Sequence, residues 1–194
     1  MRMKISRGIN LCIGVIALWV WLSMTFRWPP LGLDSAGGLQ NLRYFTVLTN
    51  LLQCGVSLAY CFGIRVDRWK YAAAAAMGLT FCVVLCFLAP RRGYDAMYSG
   101  ANFFSHLLVP VLAMADFLIF DRSCTYTLGD SLFTLMPLVG YGLFYGGNLV
   151  VNGIEGNDWY GLAGAGLPFA AGAFAAMLAV NWGIALLLRL PRRG

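Results

Sequence analysis

Six runs of mostly apolar residues, roughly 9–26, 45–64, 71–89, 102–120, 132–151 and 162–188, take up nearly the whole chain. A helix that crosses a bilayer needs about 20 such residues. Unpaired backbone is not tolerated in hydrocarbon, so runs of this length and character predict helices. The connections between them leave no room for a soluble unit. The expected fold is therefore an all-α integral membrane protein, with six transmembrane helices in one bundle and 1–194 as a single domain. Composition agrees: 11% of residues are charged, against roughly 25% in soluble domains.

The first run follows Arg2, Lys4 and Arg7, as a secretory signal would. It is long, however, and continues through Trp19, Trp21 and Trp28 without a small-residue cleavage site. It reads as a retained helix. With both termini assigned to the cytoplasm, the inner segments hold Arg2, Lys4, Arg7, Arg65, Arg68, Lys70, Arg122, Arg189, Arg192 and Arg193. The outer segments hold only Arg27, Arg43, Arg91 and Arg92 among the basic residues, beside Asp34, Asp95, Glu155 and Asp158. That asymmetry is the positive-inside pattern. The net charge of +6 thus encodes orientation and predicts no nucleic-acid partner. Trp28 and Trp159 fall at the outer boundary and Trp69 at the inner one, where amphipathic rings favour the headgroup level.

Five cysteines (Cys12, Cys54, Cys61, Cys82 and Cys86) lie within the runs and Cys124 on the inner side, so no outer disulfide framework is expected. Cys82 and Cys86 are one helical turn apart, but two thiols make a poor metal site, and no metal or cofactor is predicted. "YAAAAAMG" and "GLAGAG" are small-residue stretches suited to close helix approach. Gly142 and Gly146 have GxxxG spacing, which serves packing within a bundle or between two chains; oligomeric state stays open.

Polar residues inside apolar runs are costly unless they are satisfied or used. In the second run Thr46, Asn50 and Gln53 share a face at i, i+4, i+7. In the fourth, Asn102 and His106 are one turn apart. Tyr141, Tyr145, Asn148 and Asn152 form a stripe in the fifth, and Trp21 and Thr25 a pair in the first. At about 1.5 Å per residue, Thr46 and His106 fall within roughly 10 Å of the outer boundary, and Tyr145, Asn148 and Asn152 in the same outer half. The agreement in depth predicts a shared polar layer.

His106 is the only histidine, which excludes bis-histidine haem ligation within one chain. A lone histidine still serves as general base for a neighbouring hydroxyl. The hydroxyls at its depth are Thr46, Thr49 and Ser105. A membrane threonine ordinarily bonds its own i−4 carbonyl, so the catalytic reading competes with a structural one. In the catalytic reading Thr46 is the nucleophile and His106 its base. Asn50, Asn102, Tyr145, Asn148 and Asn152 are then candidate substrate contacts or oxyanion donors. Asp116 is about 15 Å along the helix from His106, too far to orient it, and reads as an ion pair or cap near the inner end. Asp95 in an outer loop is the candidate orienting acid.

"YFTVLTNLLQ" in the second run, "NFFSHLLVP" and "ADFLIFD" in the fourth and "MPLVGYGLFYGG" in the fifth carry a resemblance. They are similar to stretches of the six-helix membrane family of the androgen-induced protein and the androgen-dependent regulator of tissue factor pathway inhibitor, and to bacterial membrane proteins of unassigned role. The animal members are threonine hydrolases of fatty acid esters of hydroxy fatty acids. The resemblance implies an intramembrane lipid esterase with the family's threonine at Thr46 and its histidine at His106. It also implies a multi-pass bacterial inner-membrane protein with its site toward the extracytoplasmic side and a bilayer lipid as substrate. The competing expectation is a binding or transport protein that uses the same polar layer to hold a lipid headgroup or small solute.

Overall fold

A computed structural model describes residues 2–26, 38–120 and 124–192. Arg27, Trp28, Asp34, Asp121, Arg122 and Arg193, which enter the charge and boundary assignments, lie outside the described residues. The chain is all helical, with no strand among the described residues. Helix α1 is Arg2–Phe26, and a 3-10 turn, Gly38–Arg43, leads into α2, Phe45–Cys61. Helix α3 runs Asp67–Arg92 and a short α4 covers Tyr94–Tyr98. Then follow α5, Gly100–Phe120, α6, Leu128–Asn152, and α7, Leu167–Arg189.

Five of these helices, α1, α3, α5, α6 and α7, are long and apolar enough to cross a membrane; α2 is a shorter apolar helix. The expected boundaries move by a few residues, for local reasons. Helix α2 stops at Cys61 because Gly63 takes φ +80°. The Gly63 and Ile64 N–H groups then donate to the Tyr60 and Ala59 carbonyls at 3.1 and 3.0 Å, a glycine-dependent helix stop. Helix α6 begins early because Thr127 and Asp130 cap it reciprocally. The sixth run begins as loop: residues 153–166 turn with Gly161 at φ +69° and Gly166 at φ +100°, and α7 starts only at Leu167.

Helix α3 is the central pole. Every residue from Lys70 to Thr80 is buried, and α2, α5, α6 and α7 pack around it while α1 covers α2 and α5. Its run of five alanines keeps the neighbours close. At Gly78 the approach is closest, since a Cβ there would sit 2.8 Å from Ile184 Cγ2 and 3.1 Å from Met114 Sδ. Gly142 serves packing within the chain, because a Cβ there would run into the Phe174 ring; no atom of the described residues approaches the corresponding point at Gly146. Of the two roles the sequence allows Asp116, ion pair or cap, it takes the ion pair. Its Oδ2 lies 2.7 Å from Lys70 Nζ, and the two side chains are 1% and 2% exposed. Removing one partner of a buried pair leaves the other charge stranded, at about 3–5 kcal/mol.

Three π-turns interrupt the helices: Val84–Leu88 in α3, and Phe104–Leu108 and Asp116–Phe120 in α5. The first two have a direct cause. Pro90 and Pro110 have no N–H to give the carbonyls of Cys86 and His106, four residues earlier. The helix widens ahead of each proline, so that the Ala89 N–H reaches the Val84 carbonyl and the Val109 N–H the Phe104 carbonyl.

Replacing Gly78 by Val forces α3 away from Met114 and Ile184. The expected loss is about 1–3 kcal/mol, read as a lower thermal midpoint of the purified protein in detergent. Gly146→Ala, which adds a methyl to open space, leaves the midpoint unchanged or slightly raised.

Candidate functional site

The N-terminal end of α2 is held by side chains from distant elements. Its first N–H, at Phe45, donates to the Tyr160 hydroxyl at 2.9 Å, which satisfies a donor that a helix start leaves without an internal partner. The Tyr141 hydroxyl donates to the Arg43 carbonyl at 2.7 Å and accepts from Trp159 Nε1 at 2.9 Å. Tyr145 stacks beside Tyr141 and gives its hydroxyl proton to Asp158. Asp158 also accepts from the Leu162 and Gly164 N–H groups at 3.0 and 2.7 Å. Burial pushes the Asp158 carboxyl up, but these hydrogen bonds more than offset it and hold it below the usual carboxylate range.

Behind this aromatic cluster lies a cavity of about 900 Å³, walled by the later half of α3, by α6 and α7, by the first turn of α2, and by Ile154, Tyr160, Leu162 and Ala163 of the loop before α7. Its lining is apolar apart from Thr46, Thr80 and the hydroxyls of Tyr141, Tyr145 and Tyr160. Size and lining suit an acyl chain. Thr46 is half-buried on this wall, and its hydroxyl has no hydrogen-bond partner among the described residues. Thr49 behaves as membrane threonines ordinarily do. Its Oγ1 lies 3.1 Å from the Thr46 carbonyl and 3.0 Å from Thr80 Oγ1. The two threonines of the same turn are thus sharply different.

His106 is buried in the α5 π-turn. Its Nδ1 is 3.1 Å from the Met97 carbonyl, which accepts only if Nδ1 carries the proton. In the neutral ring Nε2 then holds the free lone pair. The Met97 carbonyl is available because it lies at the C-terminal end of short α4, where helix carbonyls lack internal partners. Asp95 does not perform this service: it is exposed and makes no hydrogen bond among the described residues.

Asn50 joins the two candidate residues. Its Nδ2 donates to the Thr46 carbonyl at 2.7 Å and to the Ser105 carbonyl, next to His106, at 3.1 Å. Both amide hydrogens are then spent, so Asn50 has none left for an oxyanion. Asn102 gives one of its two amide hydrogens to the Ala96 carbonyl at 2.8 Å, and Tyr145 its hydroxyl to Asp158. Asn152 is exposed and donates to Asn148 at 2.9 Å. The Asn148 Nδ2 is buried without a partner, but Asn148 does not line the cavity. Thr46 and His106 share no hydrogen bond, and His106 is not on the cavity wall.

Sequence reading misses Tyr160 and Asp158 as site residues, although the acidic and aromatic "NDWYG" stretch is their signal. Only Trp159 of that stretch stands out beforehand, as a boundary residue. The chain matches no family model, no curated protein and no solved structure. Function therefore has to be judged from the geometry of the site.

The depressed Asp158 carboxyl has a signed consequence. Its contribution to stability is complete above the unfolded carboxylate value of about 3.9 and is lost as pH falls through the lower folded value. Wild-type thermal midpoints in detergent should fall on acidification below about pH 4. Asp158→Asn should start lower and show a shallower fall over the same window.

Proposed function

We propose that this chain is a lipid esterase that draws an acyl chain from the bilayer into the cavity and cleaves its ester at Thr46. The observation that carries the reading is the Thr46 hydroxyl, without a partner among the described residues on the wall of an acyl-sized apolar cavity, while Thr49 one turn on is spent structurally. In this mechanism Thr46 Oγ1 attacks the ester carbonyl and the proton passes to His106 Nε2, whose tautomer the Met97 carbonyl favours. The imidazolium protonates the leaving alkoxide, and water then releases the fatty acid from Thr46. Because no direct hydrogen bond links the pair, substrate or a water must bridge them, or the ring must turn on binding. Fatty acid esters of hydroxy fatty acids are the substrate class that the family resemblance implies.

The placement in the membrane belongs to the same proposal. Helix α2 is the sixth span, its 17 residues being about 26 Å long at the usual rise. Both termini are cytoplasmic, following the excess of basic residues on that side. The N-terminal end of α2, and with it Thr46, then faces the extracytoplasmic side of a bacterial inner membrane, where water for hydrolysis is close.

A second reading has an observation in its favour. His106 lies off the cavity wall, as it would in a protein that binds or carries a lipid without cleaving it.

A fluorophosphonate probe with peptide mass spectrometry tests the first reading. The expected label is on Thr46, absent from Thr46→Ala and from His106→Ala, with ester turnover down about 10²–10⁴-fold in His106→Ala. Unlabelled protein with unchanged turnover in Thr46→Ala overturns hydrolysis. Intact ester lipid copurifying with that protein then supports the carrier.

A further inference from the structure

The other half of the bundle holds a second polar system that the cavity does not use. The α2 stripe continues past Thr46 and Asn50 to Gln53 and Ser57, at i+7 and i+11. Gln53 Nε2 donates to Ser57 Oγ at 2.9 Å, and Ser57 Oγ donates to Asn10 Oδ1 at 3.1 Å. Asn10 Nδ2 donates to Asp116 Oδ2 at 2.6 Å and to the Ser6 carbonyl at 2.8 Å. Lys70 closes the set, 2.7 Å from Asp116 and 3.4 Å from Ser6 Oγ. All six side chains are more than nine-tenths buried.

Counting donors against acceptors leaves a specific deficit. Asn50 Oδ1, Gln53 Oε1 and Asp116 Oδ1 are buried acceptors without partners among the described residues. The amide hydrogens of Asn50 and Asn10 are spent on carbonyl and carboxylate oxygens, and the Ser57 proton is spent on Asn10. A group that satisfies these three positions has to bring donors. A metal cation is the poorer occupant, because Lys70 already neutralises Asp116 and a second buried charge would be uncompensated. Water donates twice without adding charge and is the usual partner of such groups.

Two ionisable side chains flank these acceptors. At one end is Asp116, which opens a π-turn; at the other is His106, inside a π-turn and next to the Ser105 carbonyl that Asn50 holds. Single π-turns in α-helices gather at functional sites. Asp116 faces Lys70 from α3 and Asn10 from α1, and Lys70 lies over the Tyr60 ring of α2 at 3.6 Å. Cys61 and Arg7 flank that end, with Cys61 Sγ on the Arg7 carbonyl at 3.2 Å. His106 faces the Met97 carbonyl and no charged side chain among the described residues.

We infer that Asn50, Gln53 and Asp116 hold a file of water that conducts protons between Asp116 and His106. A proton that binds Asp116 Oδ1 passes to the adjoining water while that water releases one to the next. His106 Nε2 takes up the last and gives it to solvent at its end. One positive charge crosses, and no other bond is made or broken. The inference rests on membrane placement but not on ester cleavage, which has a separate readout.

The test is proton flux into liposomes that hold the purified protein and a pH-sensitive dye, driven by a potassium gradient with valinomycin. Wild-type protein should carry protons well above protein-free vesicles. Asp116→Asn and Gln53→Met, which keep shape but remove the carboxylate or the acceptor, should lower that flux at least tenfold. Each variant is used only if it elutes as folded protein. Ser57→Ala, which cuts the link from Gln53 to Asn10, replaces one that does not. Wild-type flux equal to that of empty vesicles overturns the inference. Flux that follows a sodium gradient instead of pH, or that is unchanged in the folded variants, does so as well.

Discussion

In an apolar surrounding, a polar group that does not find its partner inside the protein finds none at all. That constraint orders most of this structure. Each unmet buried donor or acceptor costs about 1–3 kcal/mol, so the polar residues of neighbouring helices are driven into register with one another. The contacts of α1 with α2 and with the 3-10 turn before it show this. Asn41 reaches the Met24 carbonyl, Cys54 the Gly14 carbonyl, Ser57 the Asn10 side chain and Cys61 the Arg7 carbonyl. These pairs fix an antiparallel alignment that apolar packing alone would leave free to slide. The buried Lys70–Asp116 pair does the same for α3 and α5.

The bundle accordingly divides its polar residues by use. Those that end on backbone carbonyls, such as Asn102 and Thr49, hold helices in place. Among the described residues the Thr46 hydroxyl ends on nothing, and the acceptors of Asn50, Gln53 and Asp116 are likewise left over. Helices built of alanine and glycine around α3 give the rigid packing against which such unspent groups can be kept.

Much of this is legible in the sequence. Apolar run length announces helices of nearly the observed extent, because a bilayer-sized helix needs a long uninterrupted stretch. The shared face of Thr46, Asn50 and Gln53 follows from helical period, and Asn50 does reach across to the π-turn that carries His106. How each donor is spent is not legible. Asn50 and Tyr145 look like free donors because a sequence shows a side chain's capacity and not its partner. Asp95 looks like the acid for His106, whereas the partner is a backbone carbonyl at Met97, which any residue there would supply. The sixth run reads too long for a related reason. Its small apolar residues permit a helix, but the hydrogen bonds that gather residues 158–164 around Asp158 favour a turn.

The Tyr160 hydroxyl on the first N–H of α2 ties that loop to the helix one residue before Thr46. The pose of Thr46 is therefore set partly by a segment more than a hundred residues away in the chain. Ile154, Leu162 and Ala163 of the same loop line the cavity beside Tyr160, so a change there reaches both the helix start and the cavity wall. The loop is thus a natural adjustment screw for the hydroxyl. Changes in it would move the hydroxyl and this part of the cavity wall together, without repacking the helices.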